Sequence, residues 1–316
     1  MPERITPRIH QITLRPSSRD KHGVVAALGF FDGVHIGHLA LFDEARKQAA
    51  KRGAVFAIFT FTDCGDGTYK AGAPRLTEWN ERMALLREAG VERVYAADFA
   101  SVATLTPEEF VTDILRTRLS VECAVCGFNF RFGHRAAADS ADLQRLMQRA
   151  GGDCIILPPL VRDDVTVSST AIRAFIEGGE IERANALLGR AFTIDFPVIH
   201  GKMLGRTIGV PTINQAFPVG FVLPKRGVYA CICEIDGQVH PAVSNVGTHP
   251  TVDHNAAVNC ESHILNFDGW LYGRRIRVGF LHYLREERKF DTLDGLIQQI
   301  GQDIKDTRLL LADRRL

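Results

Sequence analysis

Up to residue 188 the chain repeats one grammar, a short apolar run followed by a stretch of helical periodicity. The runs lie at 24–30, 54–61, 92–97, 123–128 and 154–159, with helical stretches near 36–51, 77–89, 106–118 and 140–150. A run such as "VVAALGF" is nearly unbroken, the mark of a strand covered on both faces. Strict strand–helix alternation leaves a chain few choices: it predicts a parallel sheet with helices on both sides. The 106–118 helix is signed at its start by Thr106 as N-cap, Pro107 at the first position and Glu109 closing a capping box. In such sheets ligands bind beyond the carboxyl ends of the strands.

After about residue 190 the grammar changes. "FTIDFPVIHG", "GVYACICEIDGQVHPAVSNVG", "NCESHILNF" and "RRIRVGFLHYL" are strand runs separated by Gly, Pro and Asp-Gly turns. Asp236-Gly237 between two of them is a hairpin signal. This half reads as an antiparallel sheet or small barrel, closed by the amphipathic stretch "TLDGLIQQIGQDIKDTRLLLADRR". The expected domains are residues 1–188 and 189–316, a division that suits 316 residues. A net charge of +1 without a dense Lys/Arg cluster gives no nucleic-acid footprint. No apolar stretch approaches the roughly 20 residues of a membrane span, and "MPERITPRIH" lacks a signal-peptide core, so a cytoplasmic protein is expected. Seven scattered cysteines suit reduced thiols, and the Cys123/Cys126 pair falls in a strand run, where a core role is expected.

The sharpest local feature is "GFFDGVHIGHLALF", residues 29–42, where a buried strand turns into a helix. First-turn backbone N–H groups lack internal partners and favour an anion, and glycine lets a phosphate approach the backbone. His35 and His38 beside Gly33 and Gly37 then read in three ways: a satisfied turn pair, zinc ligands, or groups facing a reacting phosphate. Zinc needs about four ligands, and no further His/Cys pair follows at finger spacing. Only the phosphate reading accounts for the glycines as well.

Three further stretches join it. "GFNFRFGHR", 127–135, follows the fourth strand and offers Asn129 and Arg131. "VSSTAIR" starts a helix at Ser168–Thr170, with Arg173 one turn inside. On its own this is an N-cap cluster, but after the fifth strand it faces the same rim as the histidines. "HGKMLGRTIGVPTIN", 200–214, is not a P-loop: its glycines are too close, Arg206 replaces the lysine, and the setting is antiparallel. A glycine-rich turn still binds phosphates through backbone N–H groups. Thr212 and Asn214, two apart on an extended segment, share a face; in isolation they read as groups completing a turn after a proline, and beside a phosphate-binding turn they can share one Mg²⁺ with nucleotide phosphates.

Taken together these motifs resemble the bifunctional bacterial riboflavin kinase/FAD synthetase family over essentially the whole chain. The first half matches G-x-F-D-G-x-H-x-G-H through Gly29, Phe31, Asp32, Gly33, His35, Gly37 and His38. It matches G-x-[DN]-F-x-[FY]-G through Gly127, Asn129, Phe130, Phe132 and Gly133, and S-S-T-x-I-R through Ser168, Ser169, Thr170, Ile172 and Arg173. The second half fits G-x-x-x-G-R-x-x-G-x-P-T-x-N over 201–214, with "PKRGVYA", "NVGTHPT", "ESHILNF", "LYGRRIRV" and "LREERKF" in the family's order. The resemblance implies an α/β protein: a Rossmann-like parallel-sheet nucleotidyltransferase domain, then a small antiparallel β-barrel kinase domain with a C-terminal helix.

It also implies an FMN adenylyltransferase half and a riboflavin kinase half, with ATP as substrate, Mg²⁺ as cofactor, FMN and FAD as products, and riboflavin, FMN and ATP as the partners. Glu261 is implied as the general base of the kinase, Thr212 and Asn214 as Mg²⁺ ligands, and Gly201, Lys202, Gly205 and Arg206 as the loop over ADP. "LREERKF", with Arg285, is implied as a flap over the flavin. His35, His38 and Arg173 are implied to stabilise charge in adenylyl transfer, with Asn129, Arg131, Ser168, Ser169 and Thr170 positioning the nucleotide.

One stretch departs from the family. Its Phe-x-Pro-His-Pro loop is replaced by "TFTDCGDGTYKAG", without proline or histidine but with Asp63 and Asp66. Glycine restores the chain freedom that proline removes, so a looser loop over 62–72 is expected. That supports an alternative reading, a riboflavin kinase with an impaired adenylyltransferase domain. A non-catalytic flavin or nucleotide sensor is expected to have lost Glu261 or Asn214, and both are present. An adenylyltransferase for another substrate leaves the second half without purpose. The oligomeric state is left open, a homo-oligomer included.

Overall fold

The computed structural model of the chain describes residues 8–14, 23–62, 68–69, 72–201, 205, 208–249 and 257–312. Its contacts divide the chain into two compact units, Met1–Ser169 and Thr170–Leu316.

The first unit is built on a six-stranded sheet in the order β1-β4-β3-β2-β5-β6. Its strands are β1 (Ile9–Thr13), β2 (Val24–Leu28), β3 (Val55–Phe61), β4 (Arg93–Ala97), β5 (Val121–Gly127) and β6 (Asp153–Leu157). From β4 to β6 across the sheet all neighbours are parallel, as the alternation requires. β1 is the exception, an antiparallel edge strand on β4, which makes the sheet mixed. Helices α1 (Ile36–Arg52) and α2 (Trp79–Glu88) lie on one face, over a core that includes Val25, Phe42, Phe56, Ile58 and Leu86. The other face buries Leu28, Phe59, Phe110, Leu115, Leu143 and Met147 beneath α3 (107–118) and α4 (Ser140–Arg149). α3 begins at Pro107–Glu109, where the Thr106 hydroxyl accepts from Glu109 N at 3.1 Å and Glu109 accepts from Thr106 N at 2.9 Å. It continues over Phe110–Arg118 as wider π-helical turns.

α5 (Ser169–Gly178) starts at the last residue of the first unit, and the rest of it opens the second, followed by α6 (Ile181–Leu188). Asn185 of α6 clasps the following strands, donating to Phe280 O at 2.8 Å and accepting from Phe192 N at 2.6 Å. Six antiparallel strands follow in the order β7-β12-β9-β10-β11-β8. They are β7 (Phe192–Pro197), β8 (Ile213–Ala216), β9 (Gly227–Ile235), β10 (Gln238–His249), β11 (Ala257–Ile264) and β12 (Arg275–Arg285). Just past β7, Ile199 pairs with Asn214 of β8, so the two outer strands meet and the barrel is nearly closed. Gln215, fully buried at that seam, donates to Phe196 O at 2.7 Å and Ile276 O at 2.8 Å. α7 (Leu293–Leu311) packs on β9 and β10.

The six described cysteines are buried and unpaired; Cys64 lies outside the described residues. Burial pushes the thiols of Cys123 and Cys260 up to about 11, so they stay protonated near neutrality, as core residues.

Candidate active sites

In the first unit the chain runs outward from β2 to β3 and β4 on one side, and from β5 to β6 on the other. The order reverses between β2 and β5, so the turns leaving those two strands flank the switch-point crevice. The turn after β2 is held in unusual backbone, with φ +55° at Phe31, +80° at Gly33 and +39° at Val34. Such conformations cost of order 1–3 kcal/mol each outside glycine and persist only where the surroundings impose them.

The surroundings here are specific. The buried Asp32 carboxylate accepts from Leu76 N at 3.0 Å and from Thr77 N and Oγ1 at 3.2 Å, while Gly33 N donates to Thr77 Oγ1 at 3.3 Å. Ser169 Oγ donates to the Asp32 carbonyl at 3.0 Å. The Phe31 ring is edge-on to Phe42 at 4.9 Å and to His38 at 5.1 Å. Fully buried Arg82 donates to Phe30 O at 3.2 Å and Phe61 O at 3.0 Å, pinning the ends of β2 and β3 together.

His35 is the N-cap of α1, and its Nδ1 accepts from His38 N at 3.2 Å. A ring nitrogen that accepts leaves the proton on Nε2. The His38 ring stacks on His35 with centroids 3.5 Å apart and planes 15° from parallel. A Cβ on Gly37 would lie 3.2 Å from the His35 ring and 3.5 Å from Val167, so glycine admits both to the turn. The stacked rings thus sit at the N-terminus of α1, where the helix end favours an anion.

Ser168 stands between Val167 and Ser169, next to the histidine turn. Asn129 is exposed on the turn after β5, with its Oδ1 3.4 Å from where a Gly127 Cβ would sit. Arg131 is half exposed and 4.0 Å from Asp139, the N-cap of α4. Thr170 and Arg173 lie on α5, in the second unit. Asp63 and Asp66, and most of the 62–72 loop, lie outside the described residues.

In the second unit the candidate site residues form a row across three strands. Asn214 of β8 stands opposite Glu261 of β11, which stands opposite Asn245 of β10. Directly opposed residues share a face, with Cβ atoms about 4.5–5.5 Å apart. The alternate residues Cys260 and Ser262 point into the barrel, where Ser262 and Ser244 hydroxyls lie 2.7 Å apart.

A Cβ on Gly201 would come within 2.5–2.9 Å of the Asn214 carboxamide, so that side chain lies against the Gly201 backbone. Gly205 is equally constrained: Val210 N donates to its carbonyl at 2.8 Å, and an added Cβ would fall on the Val210 carbonyl. The Thr212 hydroxyl lies 3.6 Å from that same position. His263 holds the Pro211 carbonyl at 2.8 Å, fixing the approach to Thr212. Lys202 and Arg206 lie outside the described residues.

Arg285 is engaged elsewhere. Its guanidinium forms two bonds to Asp303 of α7, at 2.9 and 2.7 Å, and the 3%-exposed Asp303 also accepts from Gln299 at 2.8 Å. The group ties the end of β12 to α7, in the segment expected as a flap over the flavin. Among the described residues no group of three or more His, Cys, Asp or Glu could hold a metal ion.

Gly201→Ala is expected to displace Asn214 and cost the activity of the second unit roughly 10²-fold, the scale of a 1 Å misplacement, with that of the first unit kept. Separate assays of the two activities check this.

The fold and sites define a nucleotidyltransferase-type α/β unit followed by a small antiparallel-barrel kinase. The FAD synthetase family model matches residues 17–171, and the riboflavin kinase family model matches residues 188–311. A bifunctional riboflavin kinase/FMN adenylyltransferase of Pseudomonas fluorescens is 36% identical over 95% of this chain and 96% of its own. Those of Listeria monocytogenes (34%; 91% of this chain, 92% of its own) and Escherichia coli K12 (35%; 93% and 94%) are similar throughout.

The chain belongs to the bifunctional riboflavin kinase/FMN adenylyltransferase family and carries both of its enzyme halves. A solved structure described as a macrolide-efflux protein from Streptococcus pneumoniae matches the fold with a TM-score of 0.82. It is 32% identical, over 94% of this chain and 97% of that one. Among the described residues of this chain no helix is long and apolar enough to cross a membrane. The FAD synthetase match spans the 62–72 loop, and neither it nor the fold supports an impaired first half.

Proposed function

We propose that the chain phosphorylates riboflavin to FMN in its second half and adenylylates FMN to FAD in its first, each step using one ATP. The observation that carries the reading is the difference between the two sites. One sets a carboxylate, Glu261, beside Asn214; the other sets a stacked histidine pair on a helix N-terminus.

An alcohol is a poor nucleophile and needs a base. The riboflavin 5′-oxygen attacks the γ-phosphorus of ATP, its proton passes to Glu261, and ADP leaves. FMN phosphate is already anionic and needs none. Its oxygen attacks the α-phosphorus of a second ATP and pyrophosphate leaves, so the requirement is charge stabilisation by His35, His38 and Arg173. Gly29, Phe31, Asp32, Gly33 and Gly37 shape that turn, and Asn129, Arg131, Ser168, Ser169 and Thr170 position the nucleotide. Functionally α5 and α6 go with the first half, giving domains 1–188 and 189–316.

Thr212 and Asn214 fit Mg²⁺. They offer hard oxygens, with the carboxamide pressed on Gly201, and two protein ligands leave room for phosphate and water. When bound, the ion neutralises phosphate charge. Gly201, Lys202, Gly205 and Arg206 are assigned by their motif to the loop that covers the ADP phosphates. We place the enzyme in the cytosol with small-molecule partners and no nucleic-acid or membrane partner, in keeping with its near-zero net charge of +1.

Incubation with riboflavin and Mg·ATP, followed by chromatography, is expected to show FMN rising first and FAD after it. Chelation stops both steps and Mg²⁺ restores them. FMN accumulating without FAD would refute the adenylyltransferase assignment.

A further inference from the structure

Residues 285–288, "REER", carry four consecutive charges, and each has a partner elsewhere in the second unit. Arg285 binds Asp303, Glu286 binds Lys225 at 3.0 Å, Glu287 accepts from Asn245 Nδ2 at 3.0 Å, and Arg288 binds Gln299. A solvated turn does not pin four charges in succession; this is a strap. Three of its contacts hold it to α7 and to Lys225, outside the site. The fourth reaches the sheet. A Cβ on Gly247 would fall on the Glu287 carboxylate, so glycine provides the hollow in which that carboxylate rests.

Its partner Asn245 stands opposite Glu261, which stands opposite Asn214. Glu287 therefore extends the kinase row from outside the sheet. The bond also orients the Asn245 carboxamide: Nδ2 is committed to Glu287, which leaves Oδ1 to accept from a hydroxyl.

We propose that Asn245 binds a hydroxyl of the flavin's polyol side chain next to Glu261, and that Glu287 is a positioning residue acting through Asn245. The proposal rests on Glu261 being the kinase base. An alcohol held at Asn245 presents its neighbouring hydroxyl to Glu261, and the strap sets how firmly it is held.

Steady-state kinetics of the full chain tests this. Asn245→Ala and Glu287→Ala are each expected to raise the riboflavin KM about tenfold, the upper end of what one neutral hydrogen bond contributes, with the ATP KM unchanged. The double variant is expected to be no worse than either single one, and Glu287→Gln, which keeps an accepting oxygen, to recover most of the loss. Glu287 is exposed, so its removal spares the core, and melting curves check this. An unchanged riboflavin KM in both single variants, additive losses in the double variant, or a lowered melting temperature as the only effect would each overturn the proposal. Glu261→Gln, run alongside, is read in kcat. A normal kcat there removes the base assignment, whatever the KM values of the strap variants.

Discussion

Glu261→Gln is expected to lower riboflavin phosphorylation roughly 10²–10⁴-fold, the range supplied by a positioned general base. The change keeps the shape of the side chain and removes only its capacity to take a proton. Asn214 and Asn245 flank the position through the strand register, so the row itself should persist. In the proposed mechanism the base serves only the alcohol, so FAD formation from supplied FMN should be unaffected. Single-turnover assays of each step with purified variant separate the two. Near-normal kinase turnover would show that the proton leaves by another route and that Glu261 has a different task.

His38→Ala and Arg173→Ala should do the reverse, cutting FAD formation roughly 10²–10³-fold, the cost of losing one group aimed at developing charge. His38 stacks on His35 at 3.5 Å, so removing one ring also frees the other from its packing. The turn beneath is held independently, by Asp32 on Leu76 and Thr77, so the backbone should keep its form. Riboflavin phosphorylation should continue and FMN should accumulate. Equal loss of both activities would point to a folding defect instead.

Much of the architecture was legible because the alternation of apolar runs and helical periodicity encodes a parallel sheet directly. The expected strand at 24–30 ends at Leu28: Gly29 N makes a last bond to Phe59 O of β3, and the chain then enters the turn with φ +55° at Phe31. β1 was not legible: five residues of "IHQIT" on an edge carry no continuous apolar run, and nothing local announces antiparallel pairing. The π-helical turns at Phe110–Arg118 leave no mark in the apolar spacing either.

At the sites, the histidines were readable because a strand-to-helix turn is a local event. Asn245 was not, because its place beside Glu261 is set by register between β10 and β11, a long-range property. The charge run at Arg285 showed its charges without their partners, and Asp303 lies on another element. The hold of Arg82 on Phe30 and Phe61 is likewise invisible in "NERMALL", where an arginine reads as a solvated helix face.

Two chemistries on two independent sites make a claim that a mixing experiment tests directly. Glu261→Gln protein is expected to lack only the first step and His38→Ala protein only the second. Each alone, given riboflavin and Mg·ATP, should make almost no FAD. Mixed in equal amounts, they should form FAD at a rate approaching wild type once FMN has accumulated, because FMN released by one chain is the substrate of the other. A mixture that makes no more FAD than the sum of its parts, although supplied FMN is converted by the Glu261→Gln protein, would contradict the account.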